Sequence, residues 1–170
     1  KMLWRHRRIS KEINGNELMR RSGVAVPTIV EPGLGLFPAK NYQFIGYYLM
    51  EDLSVKGLHN SRDMFLSDAL SSDVRLFFLR NVVRDVQNMF ANRIVFNDFK
   101  LENIFVDAQG NSVWIDTGVS HYPFFQTQKL VKKHNDSVNY FLEHHERFLT
   151  AAENQLVRSL FIPSRQRPLS

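Results

Sequence analysis

Residues 94–120 read IVFNDFKLENIFVDAQGNSVWIDTGVS, and three polar groups in them, Asp98, Asn103 and Asp116, stand at the edges of apolar, β-forming runs. Residues 104–106 (IFV) and 112–115 (SVWI) have the composition of short strands. The DAQGN between them supplies Asp107, Gly110 and Asn111 as turn formers. Two antiparallel strands bring the chain back to the edge it left. Asp98 and Asn103 precede the first strand and Asp116 follows the second, so the hairpin gathers all three on one rim. Oxygen-only donors suit hard cations. Mg²⁺ commonly takes one or two carboxylates, keeps several waters and completes its shell with substrate phosphates. A further carboxylate on the same rim can take the proton of an attacking hydroxyl.

Working outward, residues 73–92 place Phe78, Val82, Val86, Met89 and Phe90 on one face, with Ser71 or Ser72 as a cap, and predict an amphipathic helix leading into the rim. Residues 10–21 (SKEINGNELMRR) predict a weakly periodic polar helix. Residues 24–30 (VAVPTIV) predict an edge strand, because β-branched residues surround Pro27. The glycine- and proline-punctuated 31–41 and the strand-like 42–50 complete a hairpin, with Gly33 to Gly35 expected as a β-turn. After the rim, residues 137–161 repeat apolar positions at helical spacing, with Asp136 as the expected N-cap, Pro163 as the stop and 165–170 as a frayed tail. Strands before helices without βαβ alternation point to an α+β fold.

Composition bounds the chemistry. The chain has 170 residues, 44% apolar and 12% aromatic, enough for one domain with a core. With no cysteine, thiolate metal sites, disulfides and cysteine nucleophiles are excluded. A net charge of +5 and a pI near 9.6 favour anionic partners such as nucleotide phosphates. No apolar run approaches the ~18 residues that span a bilayer. The N-terminus, which begins at Lys1, lacks the charged, apolar and cleavable regions of a signal peptide. His121, His134, His144 and His145 lack zinc-ligand spacing and are expected to be exposed or to cap helices. Arg5, His6, Arg7 and Arg8 beside Trp4 are expected as a solvated strand end or a patch for an anionic substrate, with no nucleic acid implied. Lys129, Lys132 and Lys133 are expected in a charged loop.

The segment from Asp98 to Ile104, D-F-K-L-E-N-I, resembles the catalytic loop of the protein-kinase superfamily, and Asp116-Thr117-Gly118 resembles its D-F-G metal motif thirteen positions after Asn103. YYLMEDL (47–53) is similar to the strand and hinge joining the two kinase lobes. The resemblance implies a reduced bilobal kinase-like fold in a single domain spanning 1–170, with a partial N-lobe and hinge over 1–52 and a helical C-lobe over 53–170. It implies Asp98 and Lys100 as catalytic residues, Asn103 and Asp116 as Mg²⁺ ligands, and Met50, Glu51 and Leu53 against the adenine of ATP. Lys1 stands where the lysine that pairs with the phosphates is expected, and Glu17, in competition with Glu12, where its glutamate partner is expected.

The departures are specific. Phe96-Asn97 replaces the usual His-Arg, so no arginine receives a phosphorylated activation loop. Thr117 replaces Phe, no A-P-E follows, and no glycine-rich loop precedes Lys1 in the sequence. Lys100 implies a Ser/Thr protein kinase acting on a protein hydroxyl. The compactness resembles kinases delivered by bacterial secretion systems, which implies a soluble chain in a bacterial cytoplasm or a host cell and a possible host substrate. Two other readings stay open: a lipopolysaccharide-core sugar or small-molecule kinase, and an inactive pseudokinase scaffold.

Overall fold

The computed structural model describes residues 2–37 and 43–163, without the side chains of 2–8, 34–37 and 43–46. The chain is a mixed α+β structure, with five α-helices and small antiparallel sheets among the described residues. None of these helices is long and apolar enough to cross a membrane.

Helix α1 (Met2–Arg21) begins well before the expected residue 10. It buries Met19 completely and places Gly15 and Asn16 against the rest of the fold. The expected strand over 24–30 is not formed through 28. There the Ala25 carbonyl accepts a hydrogen bond from Trp114 (2.9 Å), and the Pro27 carbonyl accepts Asn16 Nδ2 (3.0 Å) and Arg20 Nη2 (3.2 Å). These carbonyls serve α1 and the central hairpin, so no ladder starts until Ile29. Strand β1 (Ile29–Phe37) then pairs antiparallel with β2 (Gln43–Met50). The Gly33–Gly35 segment expected as a turn is therefore strand. Gly33 faces Tyr47 in register, and a Cβ on Gly33 would overlap the Tyr47 ring, so the missing side chain makes room for that ring.

After the short β3 (His59–Asn60) and α2 (Ser61–Leu66), helix α3 (Ser72–Ala91) matches the predicted amphipathic helix, with Ser71 Oγ accepting from Val74 N (3.4 Å) as its N-cap. Its apolar stripe of Phe78, Leu79, Val82 and Met89 is buried in the main core. Asp85, on the same side and 2% exposed, is satisfied by Ser112 Oγ (2.9 Å) and Trp114 Nε1 (3.0 Å). A buried carboxylate without such donors would be costly. Strands β5 (Ile104–Val106) and β6 (Ser112–Trp114) form the predicted hairpin, with β3 at its edge. Two strands escaped the sequence reading, β4 (Ile94–Phe96) and β7 (Val119–His121), which pair with each other on either side of the hairpin in the chain.

The single helix expected over 137–161 is two helices, α4 (Thr127–His145) and α5 (Ala151–Arg158), separated by a 3-10 turn at Glu146–Phe148. Asp136 is inside α4 beside Lys133 (3.8 Å) and caps nothing. The chain restarts at Thr150, whose side chain and that of Glu153 form a reciprocal capping box. Glu153 also receives Arg75 of α3 in a two-pronged ion pair (Nε–Oε1 3.0 Å, Nη2–Oε2 3.1 Å), and Arg75 Nη2 donates to the Phe148 carbonyl (2.7 Å). One buried cluster thereby holds α3, the turn and α5 together. His134 and His145, expected at the surface, are buried. His134 Nε2 lies 2.8 Å from the Leu160 carbonyl, which joins α4 to the end of α5. Lys129, Lys132 and Lys133 lie on α4 and not in a loop. The tail at 165–170 lies outside the described residues.

Candidate functional site

The loop between β4 and β5 is held by alternate residues. Phe99 is 1% exposed, stacked on Phe141 of α4 (4.3 Å between centroids) and tilted against Trp114 (5.6 Å); Leu101 is fully buried. Alternation turns Asp98 and Lys100 toward the rim, and these two are only partly buried. The backbone is pinned from three elements. Ser137 Oγ of α4 donates to the Phe96 carbonyl (2.7 Å), Ser61 Oγ of α2 donates to the Leu101 carbonyl (2.8 Å), and the Leu101 N–H donates to His145 Nε2 (3.2 Å). A backbone this constrained presents its polar side chains in one arrangement, which is what a site needs.

On that frame Asp98 Oδ2 receives Lys100 Nζ (2.7 Å) and Asn103 Nδ2 (3.0 Å), and the same amide nitrogen also reaches the Asp98 carbonyl (2.8 Å). Burial pushes the Asp98 carboxyl up. It is outweighed by hydrogen bonds from Lys100 and Asn103, the Lys100 charge and a hydrogen bond with Tyr140 of α4, which together hold it below the usual carboxylate range. The Lys100 ammonium is in turn held above its usual value by its bond to Asp98, against the opposing effect of burial. Both groups are charged at neutral pH. Both Asn103 bonds use Nδ2, so its amide oxygen is the atom with lone pairs to give a cation.

Asn103 and the Asp116 segment are tied through the backbone, since Ile115 N–H donates to the Asn103 carbonyl (2.9 Å). Asp116 is exposed and adopts a left-handed φ of 52°, a conformation uncommon outside glycine, asparagine and aspartate. The strain turns the chain sharply from β6 toward β7. Asn97 bridges this turn to the loop: its Nδ2 donates to the Gly118 carbonyl and its Oδ1 accepts from Ser120 Oγ (3.0 Å). From the other side α1 closes on the turn. Thr117 Oγ1 donates to the Glu12 carbonyl (2.7 Å), and a Cβ on Gly118 would lie 2.9 Å from Glu12 Oε1 and 3.8 Å from Asp116 Oδ1.

Glu12 is therefore the acidic residue of α1 that abuts Asp116-Thr117-Gly118. Glu17 is exposed and paired with Arg21 one turn along the helix (2.8 Å). Helical spacing held the clue, since positions 12, 15, 16 and 19 share one face with the fully buried Met19 and position 17 does not. Lys1 lies outside the described residues.

Met50 lines a small recess that also contains Asn16, Tyr48, Ile115, Asp116 and Thr117, so the end of β2 and the Asp116 turn meet. Glu51 is fixed at the end of β2: its N–H donates to the Thr28 carbonyl (3.0 Å), and its carboxylate accepts Thr28 N–H (2.9 Å) and Lys56 Nζ (2.5 Å). Leu53 is buried, and its carbonyl accepts from Lys56 and Leu58 (3.1 Å each).

Among the described residues no group of three or more His, Cys, Asp or Glu is close enough to form a metal cage. Asp116 and the Asn103 amide oxygen remain the candidate oxygen donors, and two such donors would suit a cation that keeps water and substrate phosphate as its other ligands. The contacts that Tyr140, Asn97 and His145 make with the loop were not read from the sequence, because they depend on α4 and β7 folding back on it. No protein-family model matches the chain, and no curated protein sequence matches it.

Proposed function

We infer that the chain is an ATP- and Mg²⁺-dependent phosphotransferase built as a reduced bilobal kinase-like domain, with residues 1–52 as partial N-lobe and hinge and 53–170 as C-lobe. The observation that carries this is the shared Asp98 carboxylate, bonded by Lys100 and Asn103, with Asn103 tied through Ile115 to Asp116. Structural ion pairs also occur on loops. This one combines a held carboxylate, a cation and an amide oxygen beside an exposed second carboxylate, which is the set that phosphoryl transfer requires.

In this reading the acceptor hydroxyl is oriented by Asp98. Because that carboxyl is held below its usual range, it is a weak base and takes the proton late, when the hydroxyl oxygen has begun to bond to phosphorus. Lys100 offsets negative charge on the transferring group. Asn103 Oδ1 and the Asp116 carboxylate would hold Mg²⁺, which would supply charge neutralisation for the ATP phosphates. Adenine is received beside Met50 by the Glu51 carbonyl and the Leu53 N–H, since the Glu51 N–H and the Leu53 carbonyl are engaged within the chain.

The acceptor proposed first is a Ser/Thr hydroxyl of a protein, on the strength of Lys100. One observation favours the small-molecule or sugar reading as the alternative: only residues 119–126 lie between Gly118 and α4, and six of them are in β7 and a 3-10 turn. That leaves little chain to hold an extended peptide. Incubating the protein with labelled ATP, Mg²⁺ and separate protein and sugar acceptors tests both. Mg²⁺-dependent label in one acceptor class assigns the substrate; nucleotide binding without transfer or hydrolysis leaves the pseudokinase scaffold.

A further inference from the structure

Phe124 and Phe125 are adjacent and each 84% exposed, an arrangement that costs solvation, and the backbone that carries them is braced. The brace is Arg93, itself at a left-handed φ of 62° after α3. Its Nε donates to the Tyr122 carbonyl (2.7 Å), and its Nη2 to the carbonyls of Pro123 (2.8 Å) and Phe124 (3.3 Å) and to Thr127 Oγ1 (3.3 Å). The guanidinium also lies 4.8 Å from the Phe124 ring centroid. Tyr122, 6% exposed, anchors the segment from below. The two exposed rings thus stand as a knob on a 3-10 turn whose backbone Arg93 holds. None of these residues belongs to the Asp98–Asp116 site.

The adjoining sequence is one-sided in charge. From Thr117 to Asn135 the sequence contains no Asp or Glu, and it contains three lysines. Lys129, Lys132 and Lys133 are exposed on the first turns of α4, at the i, i+3 and i+4 spacing that shares a face. Lys129 Nζ approaches the Tyr122 ring (6.0 Å to its centroid), which sets the lysine row beside the knob. The row extends about 6 Å along the helix, within one Debye length of a surface that the knob touches. Asp136, beside Lys133 at 3.8 Å with both side chains half exposed, is the first acidic group beyond it.

We propose that the Phe124–Phe125 knob and the Lys129/Lys132/Lys133 face form a peripheral docking surface for an anionic phospholipid bilayer. Adjacent aromatic tips suit the headgroup–acyl boundary, and neighbouring lysines suit the anionic headgroups. A protein partner of the usual kind would meet a concave or flat apolar patch with a mixed polar rim. Here the apolar element is two exposed rings wide and lies beside a row of exposed lysines, which matches a planar, deformable, negatively charged target.

The test is co-sedimentation of the whole chain with vesicles of phosphatidylcholine alone and with one-third phosphatidylglycerol. The expected result is binding to the mixed vesicles that weakens in high salt, with little binding to the neutral ones. Phe124→Ser/Phe125→Ser is expected to weaken the partition at least tenfold. Lys129→Gln/Lys132→Gln/Lys133→Gln is expected to weaken it roughly a hundredfold, at about fivefold per lysine. All five side chains are exposed, so circular dichroism and the unfolding midpoint are expected to match the parent and report intact folding. Absence of binding to the mixed vesicles, or an unchanged partition in the Phe double variant, overturns the proposal. So does a Phe-dependent dimer in sedimentation without vesicle binding, which would make the knob a contact between two copies of this chain.

Discussion

Gly15→Ala gives a prediction whose sign the structure reverses. Gly15 is inside α1 and buried. By helix propensity alone the substitution stabilises by about 1 kcal/mol. A Cβ on Gly15, however, would overlap the Thr117 carbonyl oxygen, sit 3.0 Å from the Thr117 carbonyl carbon and 3.3 Å from Val119 Cγ2. Two of these three atoms are backbone and cannot rotate away, so α1 and the 116–119 turn must separate. Overpacking of this kind costs about 1–3 kcal/mol, and separation also strains the Thr117–Glu12 hydrogen bond, a further ~1 kcal/mol. The unfavourable contributions exceed the propensity gain, and a net loss of about 2 kcal/mol is expected, or about 4–8 °C in Tm for a chain of this length. Urea unfolding of Gly15→Ala beside Asn14→Ala, an exposed neighbour that gains propensity and meets no clash, isolates the effect. A Gly15→Ala protein as stable as Asn14→Ala would refute the close approach of α1 to the 116–119 turn, and with it the placement of Glu12 beside that turn.

Other perturbations test separate parts of the account. Glu153→Gln breaks the buried pair with Arg75 and is expected to cost about 3–5 kcal/mol in denaturant unfolding. Burial raises the Glu153 carboxyl but the Arg75 bonds lower it further, so the stability it contributes is present above its unfolded value of about 4.5 and is lost as pH falls through the lower folded value. His145 is pushed down to about 4 by burial, with Glu102 opposing. Its unfolded form binds protons first, so stability is expected to fall by about 3 kcal/mol as pH drops from 6.5 toward 4, and His145→Asn is expected to flatten that part of the curve. An NMR titration placing the His145 midpoint near 6.5 would contradict this. Asp116→Ala is expected to abolish Mg²⁺-dependent ATP affinity in a nucleotide titration, with unchanged metal dependence sinking the metal assignment.

The hairpin and α3 were legible because each depends on local signals: period-2 and period-3.6 apolar spacing, the turn residues Asp107 to Asn111, and a cap at Ser71. What failed to show was set by distant partners. The glycines at 33 and 35 carry turn chemistry locally, yet β2 pairs with them and Gly33 accommodates Tyr47. Strands β4 and β7 are three residues each and exist because they pair with one another. The apolar repeat over 137–161 gave the right core face but hid the break at 146–150, where the capping box and Arg75 override continued helix. In the candidate site, Lys100 and Asn103 both reach the Asp98 carboxylate. The choice of Glu12 over Glu17 needed the helix face as well as the motif.

The central claim is that Asp98 serves the acceptor while Asn103 and Asp116 serve the metal, and one measurement bears on it most directly: ATP·Mg²⁺ affinity and single-turnover phosphoryl transfer on Asp98→Asn. Asn keeps the shape and can still face Asn103 and Lys100, so nucleotide affinity is expected to remain near the parental value. Transfer is expected to fall by about 10²-fold or more, the usual contribution of a positioned general base. Asn103→Ala, measured alongside, is expected to lower both together, because it removes a ligand and the bond that holds Asp98. An Asp98→Asn protein that transfers phosphate at the parental rate contradicts the account.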